Sequence, residues 1–112
     1  MQKYETNEEL DRILHNCEDP RAAARAVQFT AELTRQNHLV IEGHRWQALA
    51  NHVIAMVDRC VTGEKLLEFD TALFHEIGAS SIGMAQQIVE HIGNLDEREK
   101  YLLSVHFEIA KV

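Results

Sequence analysis

Helix punctuation, spaced a few turns apart, constrains this chain more than any other feature. Asp19 stands directly before Pro20, the one proline in the sequence. A capping carboxylate followed by proline marks a helix start, because proline lacks an N–H that would be unsatisfied there anyway. Gly63 and Gly93 follow long helical patterns, and glycine readily takes the left-handed conformation that ends a helix. Thr6 with Glu9, and Asp96 with Glu99, have the spacing of a capping box, in which each side chain satisfies a free backbone N–H near the other. Ser80 or Ser81 is a further cap candidate, with Gly78 closing the element before it. These marks predict helices over about 6–17, 20–35, 42–61, 80–92 and 96–110. Residues 37–41 read as a connection and 66–77 as a short helix or pair of turns.

Runs of β-branched and aromatic residues are scarce, so nothing competes with the helical reading. At 112 residues with 46% hydrophobic content, the chain fits one domain over 1–112. The expected fold is all-α, a compact bundle of about five helices joined by short loops.

Charge narrows the function classes. The net charge is −7, with 11 Lys and Arg against 18 Asp and Glu. No basic block offers an electrostatic footprint for a phosphate backbone, so direct nucleic-acid binding is not expected. The N-terminus lacks the apolar stretch of a signal peptide, and no run approaches the roughly 20 apolar residues of a membrane span. A cytoplasmic protein without membrane attachment is the expectation. Two cysteines, Cys17 and Cys60, are too few for a disulfide framework and read as thiols on helices.

The chemistry-bearing residues are the seven histidines. On the helix over 42–61, Trp46, Leu49, Ala50, Val53, Met56, Val57 and Cys60 form one apolar stripe at about 100° per residue. His52 lies at the rim of that stripe. Arg45 and Arg59 stand seven residues before and after it, nearly two turns each way, so the three fall in one column. Neighbouring cations disfavour the imidazolium and keep the ring nucleophilic, and they suit an incoming phosphoryl group. A surface histidine between two solvated arginines has the same pattern. On the last helix, Leu102, Val105, Ile109 and Ala110 read as the apolar centre, with His106 among them. Glu99 is seven residues earlier, near the same column, and could hold one ring nitrogen. A hydrogen-bonded core histidine is the plainer reading of His106. By position His52 is open to a donor, whereas His106 needs a cleft. His15, His38, His44, His75 and His91 read as structural or surface residues.

Several chemistries find no support. No acidic residue is followed by histidine three places later, and neither His-Glu-x-x-His nor Cys-x-x-Cys occurs. Phosphate-cradling glycine loops and Gly-x-Ser-x-Gly are also missing. No metal, no cofactor and no enzymatic activity are therefore expected.

Two stretches carry a family resemblance. One is Asn51-His52-Val53-Ile54-Ala55-Met56-Val57-Asp58-Arg59, and the other is Glu99-Lys100-Tyr101-Leu102-Leu103-Ser104-Val105-His106-Phe107. In composition and separation they resemble the PTS regulation domain (PRD), a helical module of bacterial sugar-responsive transcription antiterminators and activators. The resemblance covers about residues 39–112, with the expected helix pattern over 82–93 between the motifs. It implies that His52 and His106 accept a phosphoryl group, with Arg59 and Glu99 as their motif neighbours. The implied donor is the phosphocarrier protein HPr or a sugar-specific EIIB-type component of the phosphotransferase system. The implied consequence is a change in homodimer packing, passed to an effector domain. Two departures stand out. Asn51 takes the place of the acidic residue that many family members carry before the first histidine, so it supplies no anion to orient the ring. The sequence also shows one copy of the module and no effector domain, which fits either a stand-alone module acting through a separate effector protein or a piece of a larger protein. Two alternatives stay open: a dimerisation or protein-binding module without phosphoryl transfer, and a histidine-rich helical metal protein.

Overall fold

The computed structural model describes residues 4–111. It contains five α-helices: α1 (Glu8–Asn16), α2 (Pro20–Gln36), α3 (His44–Thr62), α4 (Ala79–Ile92) and α5 (Glu99–Ala110). A single 3-10 turn, Thr71–Phe74, lies between α3 and α4. The all-α expectation holds, and most helix ends fall where the punctuation put them. Asp19 caps α2 by accepting from the Ala22 N–H, with Pro20 at the first position. Gly63 ends α3 at φ 78° and ψ 6°, the left-handed geometry that a side chain would strain.

Three ends differ, each because another group supplies the partner. The cap of α1 is Asn7, whose Oδ1 accepts from the Leu10 N–H at 2.8 Å, while Thr6 donates to Asp11 instead. Helix α4 begins at Ala79 with Gly78 as its cap residue, so neither Ser80 nor Ser81 caps it. Its acceptor comes from α5: Glu108 Oε1 accepts from Gly78 N–H at 3.1 Å and from the buried Ser81 hydroxyl at 2.8 Å. The Asp96–Glu99 capping box does not form. Asp96 accepts from Arg98 N–H, and the Glu99 carboxylate turns inward to a partner on α3.

Helix α3 is the axis of the fold and packs against α1, α2, α4 and α5. Its buried face carries Trp46, Leu49, Ala50, Val53, Ile54, Met56 and Val57, nearly the stripe read from the sequence; Cys60, at its end, is only half-buried. Leu10, Val27, Ile88, Leu103 and Phe107 close the core from the other helices. On α5 the buried face is Glu99, Leu103, Ser104 and Phe107, rather than the predicted Leu102, Val105, Ile109 and Ala110. Ile109 is 46% exposed. Apolar residues stand on two sides of α5, and the side holding two polar groups is the one α3 and α4 cover.

The stretch from 63 to 78 is mostly irregular, shorter in helix than expected. It is fixed to α5 by a run of aromatic contacts. Phe69 meets Phe74 at 5.7 Å between centroids, Phe74 meets Tyr101 at 6.0 Å, and the Arg98 guanidinium sits 5.5 Å over Phe69. Among the described residues no helix is long and apolar enough to cross a membrane.

Candidate functional site

Helices α3 and α5 run antiparallel past each other and are joined by two polar rungs. His52 and Arg59 are seven residues apart on α3; Glu99 and His106 are seven apart on α5. The order is reversed, so His52 meets His106 and Arg59 meets Glu99. Seven residues span about 10 Å of helix, so the rungs sit nearly two turns apart. Between them lie Met56 and Leu103, both fully buried. This apolar layer separates the rungs and fixes the distance between them.

The first rung is a direct contact between imidazoles. His52 Nδ1 lies 3.1 Å from His106 Nε2, and the rings meet edge to face with centroids 5.2 Å apart. A contact of that length is a hydrogen bond, so one of the two nitrogens carries the proton and the other accepts it. Both rings are half-buried. Burial is the main reason that the His52 pKa falls to about 4, followed by the facing His106 and then by Arg59. Burial likewise lowers His106. The pair is therefore neutral around pH 7. Neither His52 Nε2 nor His106 Nδ1 has a hydrogen-bond partner among the described residues.

The second rung is a two-pronged ion pair. Arg59 Nε donates to Glu99 Oε2 at 2.8 Å, and Arg59 Nη2 donates to Glu99 Oε1. The Glu99 side chain is 1% exposed and that of Arg59 18%. The hydrogen bonds that Arg59 donates to Glu99 raise its pKa above the ordinary value. A shallow cavity beside Arg59 is lined by Glu18, Asp58 and Glu64 as well, so it adds carboxylates rather than cations.

The six residues singled out in the sequence divide four to two. His52, His106, Arg59 and Glu99 form the two rungs. Arg45 is exposed at the start of α3 and joins neither, because a shared column sets direction around the helix and not depth against a neighbour. Asn51 serves the fold: its Oδ1 accepts from Gln47 Nε2 at 2.7 Å, and Gln47 Oε1 accepts from Asn7 Nδ2 at 2.7 Å. That chain ties the α1 cap to α3. Glu99 does not hold His106, since its carboxylate is taken by Arg59. The contrast between an open His52 and an enclosed His106 also gives way, because each ring covers the other. The sequence reading missed both cross-helix contacts. Equal spacing in reversed order, His-Arg on one helix and Glu-His on another, is compatible with both contacts but does not set the register that makes them.

The other histidines stand apart from the pair. His15, His38 and His44 are exposed, His75 bonds the Ala72 carbonyl, and His91 stacks on Phe29 at 4.2 Å. No group of three or more His, Cys, Asp or Glu among the described residues is arranged to hold a metal ion.

The chain as a whole is similar to a solved structure. The chain is 34% identical to a PRD-containing transcription regulator from Lactobacillus casei ATCC 334, over 97% of each chain, with a TM-score of 0.91. No protein-family model and no curated protein matches it.

Proposed function

The chain belongs to the family of PRD-containing transcription regulators, and on that premise we propose that it is a non-enzymatic receiver of the bacterial sugar phosphotransferase system. It takes a phosphoryl group on His52 or His106 from HPr or an EIIB-type component. The added charge then alters its association with a second copy of the chain or with a separate effector protein.

The observation that carries this reading is the neutral histidine pair, with Nδ1 of His52 and Nε2 of His106 in contact and the other ring nitrogens without partners. A neutral imidazole has one bare nitrogen whose lone pair can attack phosphorus. That lone pair forms the N–P bond, the bond from phosphorus to the donor breaks, and its electron pair returns to the donor. The phosphoryl group brings close to two negative charges, while the ring, still protonated on its other nitrogen, carries one positive charge. The added negative charge arrives nearly two turns from Arg59, which Glu99 already neutralises, so the α3–α5 contact must readjust.

Incubation with phosphorylated HPr and with phosphorylated EIIB-type proteins, followed by intact mass measurement at alkaline pH, tests the reading. An acid-labile gain of one phosphoryl group is expected, reduced or abolished when both His52→Ala and His106→Ala are present. No gain with either class of donor would overturn it. A second reading draws on Asn51, whose amide is engaged with Gln47 and offers no anion to the neighbouring ring: a binding module indifferent to phosphorylation. Sedimentation before and after phosphorylation separates the two, since only the receiver changes its association.

A further inference from the structure

We infer that His52 and His106 share a single proton across their contact and therefore accept one phosphoryl group between them, at either of two mutually exclusive positions. The inference rests on the receiver function proposed for the pair and specifies how its two acceptors are coupled.

The tautomers of the two rings are locked to each other. In one arrangement His52 Nδ1 donates to His106 Nε2; His52 Nε2 is then bare and His106 Nδ1 carries a proton. In the other, His106 Nε2 donates to His52 Nδ1; His106 Nδ1 is then bare and His52 Nε2 is protonated. At any moment one ring offers an outward lone pair and the other does not.

Phosphorylation freezes this choice. When His52 Nε2 forms the N–P bond and the donor's bond to phosphorus breaks, the proton on His52 Nδ1 stays in the bridge. The ring is then an N-phosphoimidazolium with one positive charge, which the phosphoryl charges it carries favour. His106 Nε2 must continue to accept, so His106 Nδ1 keeps its own proton and is no nucleophile. Transfer to His106 Nδ1 withdraws His52 in the mirror-image way.

Charge acts in the same direction. The charge of Arg59 helps to lower the His52 pKa, after burial and the facing His106, and Glu99 accepts hydrogen bonds from two of its donors. The cavity that Arg59 helps to line adds the carboxylates of Glu18, Asp58 and Glu64. One phosphoryl dianion finds only the protonated ring that carries it as compensation here, and a second within a few ångströms meets direct repulsion at reduced dielectric.

Two measurements test this. Nitrogen-15 spectra of the unphosphorylated protein, with labelled imidazoles at pH 7.5, read the proton directly. The expected result is complementary occupancy, His52 Nδ1 and His106 Nε2 summing to one proton; both protonated or both bare would overturn the inference. Saturating phosphorylation with a carrier found active on the chain reads the count. Wild type is expected to stop at one phosphoryl group per chain, with peptides from both sites modified across the population. The single variants His52→Ala and His106→Ala should each still take up one. Chains carrying phosphoryl groups on both histidines, or a single variant that takes up none, would overturn it. If no carrier acts on the chain, the receiver function fails, and the nitrogen spectra still decide whether the proton is shared.

Discussion

Arg59 and Glu99 hold each other through two parallel hydrogen bonds, with the carboxylate almost wholly out of water. Removing one partner of such a pair leaves a buried charge without compensation, at a cost of about 3 kcal/mol or more. Arg59→Met should therefore lower stability by about that much in urea unfolding. The double variant Arg59→Met with Glu99→Met should recover most of the loss, because an apolar pair of similar volume leaves no charge behind. Equal losses in the single and double variants would show that the pair contributes packing rather than charge.

Stability should fall as the solution is acidified through the histidine range. His52 has a folded pKa of about 4 against an ordinary value of 6.5. Above 6.5 the ring is neutral in both states, and its contribution to stability is fully present. Between 6.5 and 4 the unfolded ring binds a proton and the folded one does not, so stability is lost progressively. The depressed pKa corresponds to about 3 kcal/mol across that window, and His106 shifts in the same direction. Urea midpoints at about pH 7.5, 6 and 5 should decline in that order. The double variant His52→Gln with His106→Gln should flatten that decline.

Truncating one ring should release the other. His106→Ala removes the facing imidazole and opens the His52 ring to water, which are the two largest causes of its lowered pKa. Ring proton NMR titration should then find His52 well above 4, moving toward the ordinary value. A pKa that stays near 4 would mean that the rest of α3 buries the ring without help from α5.

The buried side of α5 can be read from a pair of substitutions. Phe107 is fully buried, and Phe107→Ala should cost about 3–5 kcal/mol. Ile109, still half in water, should cost under about 1 kcal/mol when changed to Ala. Thermal or urea unfolding of the two variants makes the comparison, and equal costs would contradict the packing.

The sequence showed where helices stop and start wherever a single residue type dictates the backbone. Pro20 and Gly63 are such residues, and both fall at the ends they marked. It was less informative where two residues offer the same chemistry. Thr6 and Asn7 both make good caps, and only the packing of α1 on α3 selects Asn7. It misled on α5, because Leu102, Val105 and Ile109 are as apolar as Leu103 and Phe107, and hydrophobicity alone does not say which side meets a neighbour. For the site, four of the six residues were legible as individuals. Their partners were not, since His52 and His106 are 54 residues apart and Arg59 and Glu99 are 40 apart. Contacts at that separation depend on the register between two helices, which no local pattern encodes.

The carboxylate of Glu108 has one more consequence. Helices α4 and α5 are joined at one end by the short connection over 93–98 and at the other by Glu108, which holds Gly78 and Ser81. Covalent linkage at one end and polar fastening at the other make a closed frame rather than an open hinge. A load applied where His106 meets α3 meets a stiff plate two helices wide, and whatever tilts α5 carries the outer surface of α4 with it.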